Sequence, residues 1–189
     1  SQSSLNESGM LTLWAKLSVK SAIDVTVPYT INGSSTATLT DDYSIAPASQ
    51  ITIPAGADSV EITITISEDD IDEVDETVVV DMGTPTNATQ GGTIEHTATI
   101  TDDDATPTVE FALVSQSSVN ESGTLTVRVE LSAIGGLDVT VPYSIVVGST
   151  ATVTDDYTVS PLSEVTIAAG SDYADITLNI VTDFIDEQN

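Results

Sequence analysis

Apolar residues fall on alternate positions through most of the chain. Leu11, Leu13, Ala15 and Leu17 alternate with Thr12, Trp14 and Lys16. Val25, Val27, Tyr29 and Ile31 keep the same period, as do Ile51 with Ile53, Val60 through Ile66, Val78 through Met82, and Ile94, His96, Ala98 and Ile100. A period of two puts every second side chain on one face of a strand, so each segment predicts a half-buried strand. Val109, Phe111 and Leu113 open a further one. Asn32-Gly33, Ala55-Gly56 and Gly91-Gly92 separate the segments as turns, and no stretch keeps a helical period. About seven short strands in roughly 110 residues predict an all-β, antiparallel sandwich.

The pattern repeats. SQSSLNESG from Ser1 returns as SQSSVNESG from Ser115, an offset of 114 residues. At the same offset DVTVPYTI from Asp24 matches DVTVPYSI from Asp138, TATLTDDY from Thr36 matches TATVTDDY from Thr150, and the IDE at Ile71 matches that at Ile185. The chain therefore reads as two tandem units, 1–104 and 105–189. The first lacks its opening strand and the second its closing strands, as in a piece of a longer array. The boundary falls where Asp102-Asp103-Asp104 gives way to Ala105-Thr106-Pro107, because proline ends pairing and holds the preceding residue extended. So short a linker implies limited freedom between units.

Composition narrows the function. The 189 residues carry 30 Asp and Glu against 3 Lys and Arg, a formal net charge of −27, yet 40% are hydrophobic. That is too apolar for a disordered acidic tail. The charge opposes binding to nucleic-acid phosphates and to anionic membranes, and no apolar run is long enough to span a bilayer, so neither nucleic acid nor membrane insertion is expected. The chain begins at Ser1 without a Met, and any targeting sequence is expected to have been removed or left out. With no cysteine, disulfides and thiolate chemistry are excluded, leaving bound metal or two ordinary hydrophobic cores to stabilise the fold.

The carboxylates gather in the predicted connections. Asn6-Glu7-Ser8-Gly9, Asp41-Asp42-Tyr43, the run EDDIDEVDE at 68–76, and Asp102-Asp103-Asp104 all lie between or after strands. Sandwich loops group at two ends, so separate clusters can converge. Hard oxygens in such number suit Ca²⁺ better than Mg²⁺, which keeps a tighter octahedral shell, or zinc, which favours His and Cys. The competing reading is plain solvated charge. Against it, Glu7 matches Glu121, Asp42 matches Asp156, Asp69 matches Asp183, and Asp72-Glu73 matches Asp186-Glu187, while Lys16 and Glu130 differ. Recent duplication also produces such matches.

Taken together, NESG, TDDY, Pro54-Ala55-Gly56, ISEDDIDEVDE and ATITDDD resemble the Calx-beta family over essentially the whole chain. The resemblance implies an immunoglobulin-like seven-strand sandwich with Ca²⁺ at one end, beside the junction with the following repeat. It implies Glu7, Asp42, Asp69, Glu73, Glu76, Asp102, Asp103 and Asp104 as the ligand pool of the first repeat. For the second it implies Glu121, Asp156, Asp183 and Glu187. Thr182 and Phe184 stand where the first copy has Glu68 and Asp70, so the second site is the less complete.

Other signals are weaker. His96 is the single histidine, shares the parity of Ala98 and Ile100, and reads as packed or edge-strand rather than catalytic. Paired carboxylates also serve glycosidases, but 4% aromatic residues line no sugar cleft, and no enzyme is expected. Trp14, replaced by Arg128 in the second copy, reads as a surface aromatic; Tyr43 and Tyr157 read as structural. Asn6, Asn32, Asn87 and Asn120 begin glycosylation triplets in a chain rich in Ser and Thr.

These readings predict a calcium-binding structural or adhesive repeat of a bacterial cell-surface or secreted protein, its Ca²⁺ rigidifying loops and inter-repeat junctions. Its partners are expected to be neighbouring repeats or copies of itself, and a cell-surface or matrix molecule. The alternatives are a calcium-sensing regulatory module, a strand-exchanging subunit of an extracellular filament, and a carbohydrate-binding adhesin tip.

Overall fold

The computed structural model describes residues 4–116, 122–146 and 149–182. They form two compact units, one of Ser1–Asp70 with Val74–Asp104 and one of Ile71–Glu73 with Ala105–Asn189. Among the described residues there is no helix long and apolar enough to cross a membrane.

The first unit is a β-sandwich. Its strands are β1 (Ser4–Asn6), β2 (Gly9–Lys16), β3 (Val25–Ile31), β4 (Tyr43–Ala46), β5 (Gln50–Ile53), β6 (Ser59–Ile66), β7 (Glu76–Met82) and β8 (Glu95–Thr101). One sheet runs β1-β8-β7-β3-β5 and the other β2-β6-β4. All pairings between these strands are antiparallel except β1 with β8, where Ser4, Leu5 and Asn6 run beside Thr99, Ile100 and Thr101. The alternating apolar residues meet between the sheets: Leu11, Ile62 and Ile64 on one side, Val25, Val78 and Ala98 on the other, each nearly or fully buried.

Two strands go beyond the period-two pattern. β1 offers only Leu5 as an apolar position, and β4 begins at Tyr43, directly after the Asp pair. Tyr43 is 1% exposed and belongs to the core. Just before it Thr40 holds a positive φ of 85°, and Thr154 repeats this at 84°. A β-branched residue in that region is strained, so both copies carry the same strained turn ahead of the core tyrosine.

The second unit contains β9 (Val109–Phe111), β10 (Gly123–Leu131), β11 (Val139–Pro142), β12 (Tyr157–Ser160), β13 (Glu164–Ile167) and β14 (Tyr173–Ile180). They form one sheet in the order β12-β14-β10-β9 and a second of β11 with β13. The core is smaller, built on Val129, Leu131, Val165, Ile167 and Ile176.

Ile64 is fully buried, whereas its counterpart Leu178 is half-buried. Ile64→Ala is therefore expected to lower the stability of the first unit by about 2–5 kcal/mol. Urea unfolding followed by the fluorescence of Trp14 measures this directly. Leu178→Ala is expected to leave the Trp14 transition in place and to shift only the remaining change in circular dichroism.

Candidate metal centre

Strand register decides which loops meet. Gly9 of β2 pairs with Ile66 of β6, and Asn6 of β1 lies beside Thr101 of β8. Glu7 therefore sits between the end of β1 and the start of β2, beside the ends of β6, ahead of Asp69, and of β8, ahead of Asp104. Gly9 completes the turn with a φ of 99°, and a Cβ there would approach Leu5 Cδ2 to 3.2 Å, so glycine is required for the chain to double back.

One carboxylate oxygen from each of Glu7, Asp69 and Asp104 lies within 4.8 Å of the others. Glu7 and Asp104 are half-buried and Asp69 is exposed. Around them the acidic triplet is tied back to the sandwich: Asn6 Nδ2 donates to Asp103 Oδ2 at 3.0 Å, and Asp102 N donates to Asp75 Oδ1 at 3.2 Å. Asp75 was not singled out by spacing alone; its only signal was its place inside the acidic run.

Other residues of the pool are placed differently. Asp42 and Glu76 lie at the same end of the sandwich, since Tyr43 pairs with Ile66 and Glu76 with Ile100, but neither belongs to the close group of three. The Asp42 carboxylate accepts from the Thr38 amide across its own turn. Asp72 and Glu73 group with the second unit. There Asp72 Oδ1 accepts from Thr106 Oγ1 at 3.1 Å, and a Cβ on Gly136 would come within 2.6 Å of Glu73 Oε1. In the second set, Asp156 repeats the local role of Asp42, accepting from the Thr152 amide and, at 3.0 Å, from Thr152 Oγ1. Glu121, Asp183 and Glu187 lie outside the described residues.

The electrostatics follow from crowding. Partial burial, and then the neighbouring charges of Asp102, Asp70, Asp103 and Asp69, raise the Asp104 carboxyl above the usual range. Like charges held this close disfavour one another's ionised forms. Three hard oxygens from three connections fit a divalent cation that accepts irregular oxygen shells, and Ca²⁺, with ~6–8 ligands at roughly 2.3–2.6 Å, is the best match, water and backbone carbonyls completing the shell.

The Calx-beta domain model matches the chain twice, over residues 7–104 and 102–189. Among solved structures, CBD12 from CALX1.2 is 21% identical, with 95% of this chain and 72% of that one aligned and a TM-score of 0.48. The calcium binding domain CBD12 of CALX1.1 is 20% identical over 95% and 73%, with a TM-score of 0.49. The CupB2 chaperone of Pseudomonas aeruginosa is 10% identical over 96% and 91%, with a TM-score of 0.38. No curated protein sequence matches the chain.

A raised carboxyl pKa means that the folded chain holds the proton more tightly than the unfolded one. Ionised Asp104 thus opposes folding at neutral pH, and that opposition disappears as pH falls through its folded pKa. In chelator, the unfolding midpoint reported by Trp14 is expected to rise on acidification from about pH 7 to about pH 5. Asp104→Asn is expected to be more stable than the parent at neutral pH and to show a flatter pH profile.

Proposed function

The chain belongs to the Calx-beta domain family, and on that premise we propose that it is a calcium-binding structural repeat of a cell-surface or secreted protein. The observation that carries this reading is the convergence of Glu7, Asp69 and Asp104 from three separate connections at one end of the first sandwich. When Ca²⁺ is bound it supplies positive charge at a point where the fold concentrates negative charge. The protein's own part is to hold the three carboxylates at fixed strand ends and to hold the acidic triplet through Asn6 and Asp75.

Two features support a structural rather than a catalytic role. The tandem units carry the same turn chemistry at Thr40 and Thr154, Gly9 and Gly123, and Asp42 and Asp156. The net charge of −27 favours cations as partners. Asp104 is also the last residue of the first unit, so a cation that fixes it restrains the start of the following segment. In an array of such units this would couple ion binding to stiffness, in keeping with a stalk or adhesive spacer.

A ligand that binds only the folded state stabilises it by RT ln(1 + [L]/Kd), about 2.7 kcal/mol at a hundredfold excess over Kd. Calorimetric melting in excess Ca²⁺ is expected to shift the transition of the first unit upward by several degrees relative to chelator. Equimolar Mg²⁺ is expected to shift it much less. Asp69→Asn combined with Asp104→Asn is expected to remove most of the calcium shift while raising the metal-free transition at neutral pH.

A further inference from the structure

Asn32 follows the last residue of β3 and precedes Gly33, the only Asn-Gly step in the chain. The segment 32–37 then runs along β7. Asn32 N donates to Val79 O at 2.8 Å, Val79 N donates to Ser35 Oγ at 2.9 Å, and the amides of Thr36 and Ala37 donate to Thr77 O at 3.0 and 3.1 Å. The side chain of Asn32 clamps this segment through both ends of its amide: Nδ2 donates to Asp81 Oδ2 at 2.7 Å, and Oδ1 accepts from Ser34 N at 2.9 Å. Asp81 stands opposite Glu95 in the register of β7 with β8, so the neutral amide answers one member of a like-charged cross-strand pair. Val78 and Val80 point into the inter-sheet core, which turns Val79 to the other face, yet Val79 is only 7% exposed with the segment in place.

We propose that Asn32-Gly33 is a site of spontaneous deamidation, which the folded chain holds in check through the Asp81 clamp, and that its product releases the segment 32–37 from β7. Glycine favours the reaction because it places no side chain beside the attacking nitrogen. Gly33 is exposed, and a Cβ added there would meet nothing within 4 Å, so packing does not shield the site. In the first step the Gly33 amide nitrogen gives up its proton and attacks Asn32 Cγ. The new C–N bond closes a succinimide ring, the Cγ–Nδ2 bond breaks, and Nδ2 takes up the proton and leaves as ammonia. Water then opens the ring to aspartate or isoaspartate. The clamp opposes the first step, since Nδ2 must surrender its bond to Asp81 before it departs. Once the step has occurred the same contact changes sign: a carboxylate replaces a donor and faces Asp81, itself beside Glu95. Val146-Val147 stand at the equivalent positions of the second unit, so the site belongs to the first unit alone.

Incubation of the whole chain in mildly alkaline buffer, with and without guanidinium chloride, tests this, the conversion of Asn32 being followed by peptide mass spectrometry and by isoaspartyl methyltransferase labelling. Conversion is expected to run roughly tenfold or more faster in the denaturant. Asp81→Ala is expected to speed it roughly tenfold in the folded chain, whereas Ile64→Ala, which weakens the core and leaves the clamp intact, is expected to speed it much less. Gly33→Ala, which the open turn accommodates, is expected to slow conversion roughly tenfold even in denaturant. Asn32→Asp, a stand-in for the product, is expected to lower the unfolding midpoint reported by Trp14, and adding Asp81→Asn is expected to recover most of the loss. Equal rates in the folded and denatured chain, or Asp81→Ala no faster than Ile64→Ala, would overturn the proposal. So would an unmodified Asn32 in denaturant, or an Asn32→Asp chain as stable as the parent.

Discussion

Repulsion among carboxylates is the constraint around which the first unit is organised, and strand register is what creates it. Gly9 opposite Ile66, Asn6 beside Thr101, Tyr43 opposite Ile66 and Glu76 opposite Ile100 bring the ends of six strands to one end of the sandwich. A slip of one residue would turn every apolar side chain of β2 or β6 away from the core, so the register is held by burial and the carboxylates must follow it. The core of Leu11, Val25, Ile64, Val78 and Ala98 thus maintains an arrangement that its acidic loops oppose. A cation held at Glu7, Asp69 and Asp104 would reverse the sign of that opposition, and stability, loop order and ion binding are then expected to be one equilibrium rather than three.

The acidic end also shows how finely neighbouring residues divide their work. Asp103 and Asp75 are engaged with Asn6 and with the Asp102 amide, and Asp42 is engaged with the Thr38 amide, so these groups fix the loops. Glu7, Asp69 and Asp104 form the close group those loops surround.

Much of this was legible in the sequence. Period two located the longer strands because their alternate residues are buried, and the turns followed from glycine pairs. β1 was not legible, because Ser4, Leu5 and Asn6 contain one apolar position and owe their strand to β8. β4 was masked by the Asp pair that precedes Tyr43. The acidic pool was legible as a pool, since charge and spacing are sequence properties. Its division was not. Whether a carboxylate turns inward to cap its own amides, as Asp42 and Asp156 do, depends on local backbone angles such as the positive φ of Thr40 and Thr154. The grouping of Asp72 and Glu73 with the second unit likewise depends on where the loop lies rather than on its composition.

The most direct measurement is isothermal titration of Ca²⁺ into the metal-free chain, in parallel with a Glu7→Gln, Asp69→Asn, Asp104→Asn variant that keeps its circular dichroism spectrum. The account predicts saturable binding to the parent, tighter than Mg²⁺ and lost in the variant. Equal binding by both chains, or no binding by either, would contradict it.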